Sequence, residues 1–268
     1  MLEINQIHQG DSAKLLKQID DDSIDLTVTS PPYDNLRNYK GYSFDFETIA
    51  KELYRVTKKG GVVIWVVGDS TINGSESGNS FRQALFFMEC GFNLHDTMIY
   101  SKLTYPPLTH NRYEQSFEYM FVLSKGKPNT FNPIMIKCDT AGTKRPRYKS
   151  NKEFGSAVRN RDEVDVIKDK KQKNNVWIIR PNNTHHNHPA IFPEKLAKDH
   201  IISWSNKGDL VFDPFAGSGT TLKMAMLNDR NYLGFEISAE YCNLINQRIG
   251  SNLSGLCCRK NKTDCRKR

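Results

Sequence analysis

No stretch of this 268-residue chain stays apolar for the roughly twenty residues that a membrane-crossing helix needs. Its opening, Met1-Leu2-Glu3-Ile4, lacks the basic and apolar regions of a secretory leader, so a soluble, cytoplasmic protein is expected. Six cysteines occur, none at C-x-x-C spacing, which excludes a zinc ribbon and gives no disulfide framework. The sequence has no G-x-x-x-x-G-K-[ST] element, which argues against a P-loop nucleotidase. The run His185-His186-Asn187-His188 has no carboxylate or cysteine at ligand spacing, and no metal is expected.

What is present is a core-forming chain of uneven charge. Hydrophobic residues make up 38% and aromatics 10%, enough for one large domain carrying an insertion. Of the net charge of +8, residues 126–176 carry +7 and residues 251–268 carry +5, leaving −4 for the remainder. An acidic body with a basic insertion suggests a polyanionic partner met by that insertion. The basic end, 251–268, reads as a solvated, disordered tail.

Residues 1–125 alternate strand and helix patterns. A strand over 2–8 precedes a helix starting at Ser12, read as its N-cap. A strand over 24–28 precedes a helix around Phe46–Val56, which Lys58-Lys59-Gly60-Gly61 should terminate. Val62–Val67 is an apolar, β-branched strand of the kind that helices cover on both faces. A helix over 80–90 and strands near 98–101 and 118–123 follow. Periodicity fails over 126–176, then returns over 177–250. The expectation is an α/β fold with a largely parallel sheet. Its catalytic half would be 1–125, its inserted segment 126–176, its ligand-binding half 177–250 and its tail 251–268.

Two stretches carry chemistry. The first is Thr29-Ser30-Pro31-Pro32-Tyr33, at the end of a buried strand. The prolines hold the backbone extended, so the carbonyls of Ser30 and Pro31 face outward beside a hydroxyl and an aromatic ring. Such a mouth suits a flat ring bearing an amino group, stacked on Tyr33 with its hydrogens aimed at the acceptors.

The second stretch is Asp213-Pro214-Phe215-Ala216-Gly217-Ser218-Gly219-Thr220-Thr221, a strand end, a glycine turn and a helix start. A further strand ends at Glu236, placed to accept two ribose hydroxyls. This departs from the dinucleotide fingerprint, because Leu222 stands where the third glycine would be and Asp213 sits in the turn. A carboxylate there repels a pyrophosphate and favours a ligand with an adenosine end and a cationic end, such as S-adenosyl-L-methionine.

Together these stretches resemble the amino-group DNA methyltransferases. The order, catalytic motif before cofactor motif with a basic insertion between, is similar to the circularly permuted β-group. The resemblance also takes in Gly10-Asp11, Gly60–Asp69, Glu118–Ser124 and His188-Pro189-Ala190-Ile191-Phe192-Pro193, and covers most of 8–249. It implies a Rossmann-like S-adenosylmethionine-dependent methyltransferase fold with a seven-stranded sheet and a target-recognition insertion. It implies that Asp213, Pro214, Phe215, Gly217, Gly219 and Thr220 line the cofactor site. Glu236 would hold the ribose, Asp11 the adenine end, and Lys195 would lie near the methionine carboxylate. Lys144, Arg145, Arg147 and Lys149 of the insertion would face double-stranded DNA.

A serine at the head of Ser30-Pro31-Pro32-Tyr33 is commoner among enzymes that modify cytosine N4, so that base is expected. Adenine N6 methylation uses the same geometry and is the alternative. A silent nucleic-acid-binding module keeping the fold is a third reading. Attack at cytosine C5 needs a thiolate from a Pro-Cys dipeptide, and no cysteine here follows a proline. A monomer or homodimer, with a cognate restriction endonuclease as a further partner, completes the expectation.

Overall fold

The computed structural model describes residues 2–32, 44–103, 111–150, 157–180 and 192–250, with the backbone alone at 147–150 and 157–163. It divides into two compact units, residues 1–132 with 175–268, and Pro133–Asn174.

The larger unit is built on one sheet of eight strands, one more than expected. In chain order its first members are β1 (Gln6–Gln9), β2 (Ile24–Thr29) and β3 (Thr57–Val67). A small hairpin, β4 (Thr71–Ile72) and β5 (Ser75–Glu76), stands apart from it. The sheet continues with β6 (Asn93–Lys102) and β7 (Phe117–Ser124). The smaller unit contributes β8 (Met135–Lys137), β9 (Lys144–Ser150), β10 (Ala157–Val166) and β11 (Lys170–Gln172). The sheet is completed by β12 (Val176–Ile179), β13 (Leu210–Asp213) and β14 (Asn231–Glu236). Its spatial order is β1-β14-β13-β2-β3-β7-β6-β12. Every neighbouring pair is parallel except those of β7, which runs against both β3 and β6.

The helices are α1 (Ser12–Leu15), α2 (Phe46–Val56), α3 (Asn79–Glu89), α4 (Glu194–Trp204) and α5 (Thr220–Leu227), with a further helix over residues 239–250. Alternate residues of β3 explain why both sheet faces are covered. Val63, Trp65 and Val67 join one cluster with Ile49, Leu53 and Val56 of α2 and Ala84 and Phe87 of α3. Val62, Ile64 and Val66, turned to the other face by the strand's period of two, are equally buried. Burial on both faces makes β3 a continuous apolar run rather than an alternating one.

Two local readings are corrected. Lys58–Gly61 does not end α2. The helix stops at Val56, and the lysines and glycines already belong to β3. Gly60 has φ +82°, and a Cβ there would meet the Asn129 amide at 2.2–2.4 Å, so the glycine serves a bulge where the β2–β3 register shifts. Ser12 does not cap α1 either. Asp11 does, its carboxylate accepting the Lys14 N–H at 3.2 Å, because that leaves Ser12 free to reach across the sheet.

The topology fixes where a ligand can bind. From β2 the chain moves to β3 on one side, whereas from β13 it moves to β14 on the other. The gap between the carboxyl ends of β2 and β13 is therefore the topological switch point, the usual crevice for ligands in open α/β sheets.

Candidate active site

The two chemical stretches meet at that switch point. Thr29, the last residue of β2, donates its hydroxyl to Asp213 Oδ1 at 2.6 Å, joining residues 184 apart in sequence. Thr221 reinforces the junction from α5, donating to the carbonyl of Val28 at 3.1 Å. Beyond Thr29, Pro31 is buried while Ser30 and Pro32 are partly exposed, so the strand end opens outward. Tyr33 lies outside the described residues.

Asp213 is 5% exposed. Burial pushes its carboxyl up to about 6. Hydrogen bonds from Thr29, the Phe215 N–H at 3.0 Å and Thr221 oppose that rise, and the nearby Glu236 charge adds to it. Pro214 turns the chain, and its carbonyl accepts the Ser12 hydroxyl. The Phe215 ring meets Phe44 edge-on at 5.5 Å, anchoring the turn to the aromatic core.

Glu236, at the end of β14, accepts one backbone N–H on each oxygen, from Gly217 at 2.9 Å and Ser238 at 2.9 Å. Burial raises its carboxyl, and the N–H groups of Ser238, Gly217 and Ile237 partly offset the rise. The Gly10 N–H donates to the Glu236 carbonyl at 2.9 Å, which brings the tip of β1 beside that of β14. Asp11 and Ser12 therefore follow directly into the same edge, Asp11 as a cap and Ser12 as the tie to Pro214.

Gly219 caps α5 with φ +77°, and a Cβ on it would lie 2.8 Å from the Ile245 side chain. This glycine is required by the packing of the 239–250 helix, a role the sequence motif did not suggest. Thr220, in the first turn of α5, is buried. The Lys195 ammonium pairs with Asp199 at 2.8 Å one turn along α4 and stays largely exposed. The neighbouring Glu194 collects Lys223 at 2.7 Å and Arg248 at 3.4 Å, and Arg248 also donates to the Ser218 carbonyl. This network braces the glycine turn from behind.

Sequence reasoning missed three contributors: Thr29, which stood inside the quoted motif without a role, Ser12 and Arg248. Only Thr29 had a signal, as a polar residue in an otherwise apolar strand ending at a catalytic motif. A further carboxylate, Asp69, closes β3. It accepts the Ser77 hydroxyl at 2.9 Å, the Ser80 N–H at 3.0 Å and the Ser80 hydroxyl. Its pKa is lowered, because those hydrogen bonds outweigh the desolvation that pushes it up.

In the smaller unit, β9 pairs antiparallel with β10. Strand alternation puts Arg145, Arg147 and Lys149 on one face and Lys144 on the other, so the four expected DNA-facing cations do not share a face. Among the described residues no group of three His, Cys, Asp or Glu could hold a metal, and His185, His186 and His188 lie outside them.

The buried acid-glycine turn is thus hydrogen-bonded to Thr29, the strand end that leads into Ser30-Pro31-Pro32, on a sheet with one reversed strand. The family model described as DNA methylase matches residues 24–247, and the chain belongs to that family of N6- and N4-amino DNA methylases. It is 56% identical over 243 residues to the orphan methyltransferase M.BamHII of Bacillus amyloliquefaciens, covering 87% of this chain and 91% of that one. In fold it is similar to the cytosine-N4-specific PvuII DNA methyltransferase, with TM-score 0.65, 22% identity and coverage of 90% and 85% of the two chains. It is likewise similar to a DNA modification methylase of Thermus thermophilus, TTHA0409, complexed with S-adenosyl-L-methionine. There the TM-score is 0.64 at 24% identity, covering 92% and 93%.

Proposed function

We propose that this DNA methylase transfers a methyl group from S-adenosyl-L-methionine to the N4 amine of a cytosine flipped out of duplex DNA. The observation that carries the reading is the Thr29–Asp213 hydrogen bond, which sets the Ser30-Pro31 acceptors beside the acid-glycine turn.

The residues fit that cofactor. The Gly217 N–H, which in a phosphate-binding turn would meet an anion, is occupied by Glu236. Glu236 keeps a lone pair on each oxygen for a ribose diol, and Asp213 offers a buried negative charge to an ammonium or sulfonium. Asp11 would serve the adenine end, and Pro214, Phe215, Gly219 and Thr220 would shape the wall. Lys195 pairs with Asp199 and keeps further ammonium hydrogens that could serve a carboxylate. When bound, the cofactor supplies an electrophilic methyl group.

The protein's own work is positioning. An exocyclic amine is a weak nucleophile while its lone pair is delocalised into the ring. The Ser30 hydroxyl and the Pro31 carbonyl accept its two hydrogens, draw the nitrogen toward a tetrahedral geometry and so free the lone pair. Tyr33 and Pro32 hold the flipped ring. No strong base is required, because the amine proton becomes acidic once the nitrogen carries positive charge. Ser30, a neutral acceptor rather than an aspartate, supports cytosine over adenine. Residues 126–176 act as the target-recognition segment. The likeness to a relative named an orphan methyltransferase supports action without a dedicated restriction endonuclease.

Ser30→Ala should lower kcat roughly a hundredfold with little change in KM for DNA, because the lost contact strengthens only as the nitrogen pyramidalises. Mass spectrometry of nucleosides from methylated DNA should show N4-methylcytosine. N6-methyladenine as sole product would overturn the base, and 5-methylcytosine would overturn the mechanism.

A further inference from the structure

One margin of the large sheet is left open on one of its faces. α3 lies against β7 and β6, and its Phe81 ring meets Tyr119 of β7 edge-on at 5.3 Å. Strand register carries that face outward. Tyr119 pairs with Ile99 of β6, and Ile99 with Val176 of β12, so Ile99, Val176 and, two residues on, Ile178 point to the α3 side. The alternate residues Trp177 and Ile179 point the other way and are buried, with Trp177 stacked on His200 of α4 at 4.5 Å. Val176 and Ile178 are instead exposed, Ile178 to 61%. A strand face turned to water is ordinarily polar, and this one presents only valine and isoleucine.

α3 adds a matching stripe. Its buried side is Ser80, Gln83, Ala84 and Phe87. Phe81, Leu85 and Met88, at i, i+4 and i+7, line the outward side and are exposed, Leu85 to 59%. Single apolar residues scattered on a surface are ordinary, but a set along one helix with an open sheet margin beside it marks a contact surface.

The stripe is symmetric about its middle. Phe81 lies four residues before Leu85 and Met88 three after it. Exposed Arg82 lies three before and exposed Glu89 four after, and the helical period puts both on one flank of the stripe. A second α3 laid antiparallel about a two-fold axis at Leu85 sets Phe81 of each copy against Met88 of the other. The same rotation sets Arg82 of each copy against Glu89 of the other. A surface that complements itself in both apolar shape and charge is what a two-fold contact requires. Arg82 places one nitrogen on the Ser77 carbonyl at 2.7 Å and Asn79 Oδ1 at 2.9 Å, and keeps further hydrogens for a carboxylate.

We infer that this face of α3 is the contact between two copies of the chain, paired antiparallel about Leu85, with Val176 and Ile178 at its border. The inference does not depend on which base is methylated.

The test is sedimentation velocity on the full chain without DNA, over a concentration series. The parental protein should shift from monomer to dimer as concentration rises. Leu85→Lys, which sets like charges on the two-fold axis, should raise the dimer dissociation constant roughly a hundredfold or more. Arg82→Glu and Glu89→Arg should each raise it roughly tenfold. Both changes in one chain should restore most of the parental value, because the pair is then reversed rather than broken. Damage to α3 itself would not be rescued in this way. Circular dichroism identifies a variant that fails to fold, and Leu85→Ser then replaces Leu85→Lys. Monomers at every concentration would leave the face to a different occupant and overturn the inference. So would a dimer that a folded Leu85 variant leaves intact, or charge reversals whose losses add instead of cancelling.

Discussion

Two buried aspartates close two strands of the same sheet, and they are perturbed in opposite directions. Asp213, at the end of β13, is 5% exposed, and Asp69, just past the end of β3, is 7% exposed. Each accepts hydrogen bonds from hydroxyl and backbone donors. Yet Asp213 is pushed up to about 6 while Asp69 is held below its ordinary value. The difference is depth. Asp213 sits mid-sheet between β14 and β2 with Glu236 as a like-charged neighbour. Asp69 lines a surface depression with Glu76, Tyr113 and Tyr119, and its desolvation is outweighed by hydrogen bonds from Ser80, Ser77 and the Asn79 N–H. A carboxylate at ease with its surroundings is structural, and here it fastens the start of α3. A carboxylate held at a cost is the one with charge left for a cationic ligand.

The largest test of that contrast exchanges both groups for amides. Asp213→Asn should weaken S-adenosylmethionine binding roughly a hundredfold by calorimetry, because a buried charge partner is lost. The same change should stabilise the ligand-free protein at pH 7 by up to about 3 kcal/mol, the linkage value of a shift from 3.8 to about 6. Asp69→Asn should do the reverse, costing about 1.5–3 kcal/mol in denaturant unfolding while leaving cofactor affinity within a factor of two. Equal losses of affinity in both variants would erase the distinction.

Acidity separates the two next. Cofactor affinity should fall below pH 6, approaching tenfold per unit, as protonation neutralises Asp213. Between the unfolded value of 3.8 and about 6, Asp213 favours the folded state more as pH falls, since the native form holds the proton more tightly. Asp69 does the opposite. Its contribution is present above its unfolded value of 3.8 and is lost as pH falls through its depressed folded value. Calorimetry near pH 6 in buffers of different ionisation enthalpy should show proton release on binding. Affinity flat from pH 5 to 8 would remove Asp213 from the cation site.

The smallest effect should come from Thr29→Val. It removes one hydroxyl from Asp213 Oδ1, worth about 1 kcal/mol, and should move the pH midpoint of binding upward with a severalfold loss of affinity at pH 7. An unmoved midpoint would mean that the Phe215 N–H and Thr221 alone set the carboxyl.

Much of this was legible in the chain itself because it is encoded locally. Strand and helix periods located β2, α2, α3, β13 and β14, but the return of apolar residues at 176–179 did not by itself mark β12 as an eighth member of the sheet. The acid-glycine turn and the Ser-Pro-Pro mouth are short motifs whose residue types state their chemistry, and the excess of cations in the insertion needed only counting. Local signals also misled. Gly60 looked like a helix cap because a bulge and a cap ask for the same positive φ, and Ser12 looked like an N-cap because serine caps well. Tertiary structure alone decided what no neighbouring residues encode: that Thr29 and Asp213 share a hydrogen bond, that Gly219 makes room for Ile245, and that Lys195 answers to Asp199. It also decided which of two strand-end aspartates carries an uneasy charge and which cations of the insertion share a face. The physical reason is that hydrogen-bond partners and desolvation depend on sheet order and burial depth, which are set by how distant segments pack.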